Sequence, residues 1–178
     1  VGTPAISTTT FRPASGGSRS LRFAATTTTC QINHIFATAV ASAATVVARL
    51  YVYFAALPSG ATNLFTVQNG ATILGAIRYD TNKLFARALN STNGADGFTV
   101  TTGQWYRLDV KVVSGATATC DLSVDGVAQP QGSAASSAQQ ATQCAFGSLA
   151  GVTVDHFIDD IIVSGTSADF PLGDGGVV

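Results

Sequence analysis

Residues 104–129 read QWYRLDVKVVSGATATCDLSVDGVAQ. In the first half Tyr106, Leu108, Val110 and Val112 alternate with Arg107, Asp109 and Lys111, the period-two pattern of a strand with one dry face and one wet face. The second half repeats it, with Cys120, Leu122 and Val124 set against Asp121 and Ser123, and then meets Asp125-Gly126. A two-residue hairpin turn needs positive backbone φ, which Asp-Gly supplies at little cost, so this stretch predicts a β-hairpin.

The same pattern recurs on both sides. Strands are expected at 20–25, 34–40, 45–56, 63–68, 72–80, 83–89, 97–100, 142–148 and 154–164, which with the two strands at 104–113 and 118–129 gives about eleven. Between them lie turn formers: Pro58-Ser59-Gly60, Asn69-Gly70, Asp80-Thr81-Asn82, Asn93-Gly94 and Ser114-Gly115. Only GSAASSAQQAT (132–142) reads as a helical turn or long loop. The expected fold is all-β, an antiparallel sandwich or barrel. No interior linker divides residues 1–169, which are expected to form one domain, with the Gly- and Pro-containing segment 170–178 as an exit linker.

Composition agrees. No glutamate occurs, so ten aspartates are the only acidic side chains, while Thr, Val, Ser and Gly, which suit strands and turns, are abundant. Charged residues make up 11% of the chain with a net charge of −1, and the nine basic residues are scattered; no nucleic-acid footprint is present. The longest apolar run, 45–57, is broken by Arg49 and is too short to cross a bilayer, so no membrane insertion is expected. There is no Met, and Val1 is expected to follow a processed or removed segment. Cys30, Cys120 and Cys144 lack metal-ligand spacing and permit at most one bridge; buried free thiols are the expectation.

The stretch TVDHFIDDIIVSG (153–165) places two adjacent aspartates in an apolar strand. Strict alternation puts Asp159 with Phe157, Ile161 and Val163, and Asp160 with His156, Ile158 and Ile162, so at least one carboxylate must lie near apolar packing. A buried carboxylate needs amides, an arginine or a metal. The preferred reading is that one aspartate accepts hydrogen bonds from a loop and pins the sandwich closed; the rival is calcium held by Asp155, Asp159 or Asp160, although no ligand ladder of the DxDxDG type supports it. No other cofactor is implied. His34 and His156, the only histidines, sit beside no nucleophile elbow, and His156 is expected to pack at a sheet margin. Trp105 is expected in the core.

Three segments in order, GQWYRLDVKV (103–112), SVDG (123–126) and HFIDDIIVS (156–164) leading into ADFPLGDG (168–175), together with STTTFRPASGGSRSLRFAA (7–25), resemble the concanavalin A-like, laminin-G-like jelly-roll domains, in particular those of tailed-bacteriophage structural proteins. The resemblance implies a two-sheet antiparallel jelly-roll sandwich used for glycan binding, adhesion, or capsid and tail decoration. Glucanases of this fold place paired glutamates on one strand, and a chain without glutamate, whose Asp159 and Asp160 would face opposite ways, is expected to have no catalytic residues and no enzymatic activity.

The remaining candidate is a binding face. Arg49, Tyr51 and Tyr53 share one side of their strand, and Arg78 with Lys83, Phe85 and Arg87 share sides of theirs; rings and guanidinium groups could stack on and hydrogen-bond to sugars, or meet a neighbouring subunit. The expectation is therefore an attachment or structural component of a phage-like virion, located on the virion or otherwise extracellular, with other virion subunits, a second copy of itself or cell-surface glycans as partners. The alternative is a carbohydrate-binding module of a secreted bacterial protein.

Overall fold

The computed structural model describes residues 2–13, 17–36, 44–136 and 139–172. In chain order its strands are β1 (Ala5–Ser7), β2 (Ser20–Ala25), β3 (Cys30–Ile35), β4 (Thr45–Ala56), β5 (Thr62–Asn69), β6 (Thr72–Asp80), β7 (Lys83–Ala88), β8 (Thr92–Asn93), β9 (Phe98–Thr99), β10 (Trp105–Val113), β11 (Thr117–Val124), β12 (Val127–Ala128), β13 (Gly132–Ala135), β14 (Gln143–Ser148) and β15 (Val154–Ser164), followed by a 3-10 turn at Ser167–Asp169. They form two antiparallel sheets. An eight-stranded sheet runs β1-β2-β15-β4-β10-β11-β12 with β13 also on β11, and a seven-stranded sheet runs β3-β14-β5-β6-β7-β8 with β9 also on β7. This is the all-β antiparallel sandwich expected from the recurring alternation, in the two-sheet jelly-roll form that the resemblance implied.

The hairpin that anchors the reading forms as expected. Leu108 faces Val124 across β10 and β11, and Asp125 (φ 51°) and Gly126 (φ 83°) make the positive-φ turn into β12. Thr81 (φ 47°) and Asn82 (φ 60°) turn β6 into β7 in the same way, with the Tyr79 hydroxyl donating to Asn82 Oδ1 at 2.9 Å. Leu50, Val52 and Phe54 of β4 meet Phe65 and Val67 of β5, Ile77 and Tyr79 of β6, and Leu84 of β7 in one core. At one point the sheets approach so closely that only glycine fits: a Cβ on Gly75 would lie 2.5 Å from the Val112 side chain.

Several expectations change. Residues 132–135 form an edge strand on β11 rather than a helical turn, because pairing supplied by a neighbouring strand overrides the weak helical preference of Ala and Gln. The strand expected at 34–40 begins earlier, at Cys30, and its part from 37 to 40 falls outside the described residues. Trp105 lies half-buried on the outward face of the eight-stranded sheet, ring to ring with Tyr53 at 5.5 Å. His156 is not at a margin; it is wholly buried, stacked on Phe23 at 5.3 Å and tilted against Phe54 at 6.2 Å. All three cysteines are free and buried, and burial pushes the thiols of Cys120 and Cys144 up to about 12. Of the expected exit segment, Phe170 is described, and the Lys111 ammonium sits 5.0 Å from the centre of its ring.

Candidate binding face

The paired aspartates occupy a β-bulge. Pairing of β15 with β4 shifts between Asp159 and Ile162, and Asp160 takes a positive φ of 47°. Strict alternation therefore fails at this point, and both carboxylates reach the same loop. Asp159 accepts a hydrogen bond from the Arg12 backbone at 3.0 Å, and Asp160 accepts one from Arg12 Nε at 2.6 Å. The Arg12 guanidinium in turn lies 4.0 Å over the Tyr51 ring. Asp155 is bound by both forks of Arg22, at 2.9 and 2.8 Å. Among the described residues no group of three or more His, Cys or Asp side chains is placed to hold a metal ion.

The seven expected face residues do not share a face. The core-facing side of β4 carries Leu50, Val52 and Phe54, so Arg49, Tyr51 and Tyr53 point outward from the eight-stranded sheet. Leu84 and Ala86 of β7 face the core, so Lys83, Phe85 and Arg87 point outward from the seven-stranded sheet, on the opposite side of the molecule, as does Arg78 opposite Phe85. Arg49 is 5% exposed and bound to the fully buried Asp109 at 2.9 Å, which Arg107 also approaches at 3.2 Å. Tyr51 is covered by Arg12, and Tyr53 lies between Trp105 and Phe157. Side chains on the outward face of the eight-stranded sheet are thus largely engaged with one another.

The outward face of the seven-stranded sheet is different. Strand register sets Asn33, Ala145, Thr66, Ala76, Arg87 and Asn93 in one row across six strands. The three middle residues are small and shielded from solvent. On one side of this row the Gln143 amide donates to Gln68 Oε1 at 2.6 Å, and Gln68 donates to Thr66 Oγ1 at 2.8 Å. On the other side Asn63, Arg78 and Phe85 lie opposite one another on neighbouring strands. The row of small residues runs between two lines of longer side chains, amides on one side and an arginine and an aromatic ring on the other; this trough is closed over Ala145, Thr66 and Ala76, which have no exposed surface, so only its walls meet solvent.

Charge within the trough is unbalanced. Arg78 Nη1 donates to Asn63 Oδ1 at 3.4 Å, and Arg87 Nη2 donates to the Asn90 carbonyl at 2.5 Å. Burial lowers the pKa of Arg87, the neighbouring Arg78 lowers it further, and Asp80 partly offsets both. Lys83, at the margin, is tied to Asp96 at 2.6 Å. The sequence pointed to Arg78, Lys83, Phe85 and Arg87, but Asn33, Asn63, Thr66, Gln68 and Gln143 went unread. The interleaving of Asn63, Thr66 and Gln68 with Leu64, Phe65 and Val67 was their only signal.

This is the architecture of a two-sheet jelly-roll β-sandwich. No family model and no curated protein sequence matches the chain. Among solved structures it is similar to the cellulose-induced protein Cip1 (TM-score 0.70, 17% identity, covering 93% of this chain and 86% of that one). It is also similar to an endo-β-1,4-glucuronan lyase from the fungus Trichoderma reesei (TM-score 0.66, 16% identity, 93% and 89%). A third is the alginate lyase AlgAT5 of Polysaccharide Lyase family 7 (TM-score 0.57, 12% identity, 82% and 77%). The likeness is one of fold, and none of the three is named as a virion component.

It also corrects the expectation of a protein without enzymatic activity. Two of these three structures are enzymes on the same sandwich, and they are lyases. The exclusion considered hydrolysis by two carboxylates and catalysis by an activated nucleophile; elimination instead abstracts a proton next to a carboxyl group and needs neither. Its second premise, that Asp159 and Asp160 face opposite ways, falls with the bulge.

Proposed function

We propose that the outward face of the seven-stranded sheet is a polysaccharide-binding face, along which an extended glycan lies against the partly exposed walls of the trough, Gln143 on one side and Arg78 and Phe85 on the other. The observation that carries this reading is the row itself. Small residues flanked by amides, an arginine and an aromatic ring offer a sugar chain both hydrogen-bonding groups and an apolar contact on a preformed sheet surface. The fold likeness to proteins named for glucuronan and alginate agrees with it. Attachment to surface glycans, whether the face is carried by a virion or by a secreted protein, is the finer form of the same reading; co-sedimentation of the chain with nucleic-acid-containing particles distinguishes the two settings.

The test is affinity gel electrophoresis on a panel of soluble polysaccharides, followed by calorimetry on the best of them. Each net hydrogen bond is worth roughly 0.5–1.5 kcal/mol, so Gln68→Ala combined with Gln143→Ala is expected to weaken binding about tenfold. Trp105→Ala, on the opposite face, is expected to leave it unchanged. Loss of binding with Trp105→Ala and none with the double variant would place the site on the wrong sheet. Ultraviolet absorbance of each mixture is followed in parallel, since lyase cleavage of a uronate polymer leaves an unsaturated, absorbing end and so reads chemistry apart from binding.

A further inference from the structure

Nine basic residues are present, and the ion pairs divide them unevenly. Arg12 is paired with Asp160, Arg22 with Asp155, Arg49 and Arg107 with Asp109, Lys83 with Asp96, and Lys111 with Asp121. That leaves Arg19, Arg78 and Arg87. Arg19 is exposed at the start of β2, whereas Arg78 and Arg87 share the trough, on the adjacent strands β6 and β7. Their register makes them diagonal neighbours, since Arg78 pairs with Phe85 and Arg87 lies two residues further along β7. Among the described residues neither is salt-bridged to a carboxylate. Their polar contacts are neutral oxygens, Asn63 Oδ1 and the Asn90 carbonyl.

Two like charges on neighbouring strands of one face oppose each other, and half-burial of Arg87 sharpens the conflict. Aspartate pairs with every other cation of the described residues except the exposed Arg19, and the one acid near this pair, Asp80 at the end of β6, is not within ion-pair distance of either. From this placement we infer that the glycan of the trough is acidic, a carboxylate-bearing polymer whose successive uronate groups are received by Arg78 and Arg87. The inference rests on the polysaccharide-binding reading and narrows it to one ligand class. A planar guanidinium matches a carboxylate in a two-point fork, and the adjacent amides of Asn63, Gln68 and Gln143 serve the hydroxyls.

The experiment is calorimetric titration of the whole chain with three oligosaccharides of equal length: an oligoglucuronate, a cello-oligosaccharide of the same β-1,4 linkage without carboxylates, and a sulfated oligosaccharide. The oligoglucuronate is expected to bind at least tenfold more tightly than the neutral chain and to weaken as salt is raised. Arg78→Gln and Arg87→Gln are each expected to lose at least fivefold of that affinity, while Arg19→Gln, the unpaired arginine outside the trough, loses none. Arg78→Gln keeps the test decisive should the half-buried Arg87 variant fold poorly.

Equal or tighter binding of the cello-oligosaccharide, sensitive to Gln68→Ala, would overturn the acidic ligand and leave the polysaccharide face standing. Oligoglucuronate binding that survives both arginine substitutions would overturn the assignment to this pair. Preference for the sulfated ligand would overturn the carboxylate. Failure of all three ligands, with no hit in the polysaccharide panel, would remove the underlying reading as well.

Discussion

Acidification should destabilise this protein in good part through one buried residue. His156 is fully buried against Phe23 and Phe54, neither ring nitrogen has a hydrogen-bond partner among the described residues, and burial lowers its pKa to about 4 from the usual 6.5, with Asp155 opposing. The unfolded chain takes up a proton near pH 6.5 and the folded chain does not until about pH 4. Stability from this residue is therefore complete above pH 6.5 and lost as pH falls towards 4. The gap between those values is worth roughly 3 kcal/mol in full, and about 2 kcal/mol between pH 8 and pH 5, at about 1.4 kcal/mol per pH unit. Urea unfolding of the wild type and of His156→Leu at pH 8 and pH 5 measures it, because the aspartates contribute alike to both proteins and cancel in the difference. At pH 8 the variant should match or exceed the wild type, since leucine brings no unpaired polar atoms to an apolar site. At pH 5 it should lead by about 2 kcal/mol more. Equal losses in the two proteins would show that His156 is either solvated or paired, and would refute the argument.

Two further predictions concern the frame that holds the faces apart. Removing the Arg12 clasp by Asp160→Asn should cost about 1–2 kcal/mol, because its ion pair is only a quarter exposed and is backed by the Tyr51 ring; added calcium or chelator should not change the melting temperature of the wild type or the variant, and a calcium-dependent rise confined to the wild type would restore the metal reading. Gly75→Ala should cost about 2–3 kcal/mol by forcing its new methyl group into Val112, and Val112→Ala should recover part of that loss in the double variant; strictly additive losses would mean that the sheets do not meet at this point.

The fold was legible because its long strands announce themselves locally, whereas the short strands β1, β8 and β13 were not expected. The alternation in 104–113, the Asp-Gly turn at 125–126 and the β-branched run at 45–56 each need only short-range sterics and one dry face to be read, and all three formed where expected. The site was less legible, for two physical reasons. Alternation tells which side chains of a strand lie together but not which sheet the strand joins, so Tyr51 and Phe85 looked like neighbours and are on opposite sides of the sandwich. A bulge is a tertiary event: the positive φ at Asp160 is stabilised by Arg12, which is 148 residues away in sequence, and nothing within HFIDDIIVS reveals it. The amides of the trough were missed for a further reason. Asn, Gln and Thr mark no chemistry until register sets them in a row.

Aspartate alone supplies the negative charge of this chain, and where it is placed separates the two faces. Asp109, Asp121, Asp155, Asp159 and Asp160 all lie on strands of the eight-stranded sheet, and each engages a basic residue there. Arg12 and Arg22 are held against Tyr51 and Phe157 by those contacts, so the rings that resemble a sugar platform in the sequence are already occupied by the protein's own cations. The strands β5, β6, β7 and β14 carry one aspartate between them, Asp80, at the very end of β6. Full electrostatic compensation along one sheet and only partial compensation on the other, where Lys83 is paired with Asp96 but Arg78 and Arg87 with no carboxylate among the described residues, is a property of the folded topology and not of the net charge, which is close to zero. A face whose charges are mutually satisfied loses those contacts when it takes a ligand, whereas a face with unmatched cations beside neutral amides gains interactions with an anionic ligand and breaks few. That difference is why we propose the glycan face on the seven-stranded sheet, although the sequence displays more aromatic side chains on the other.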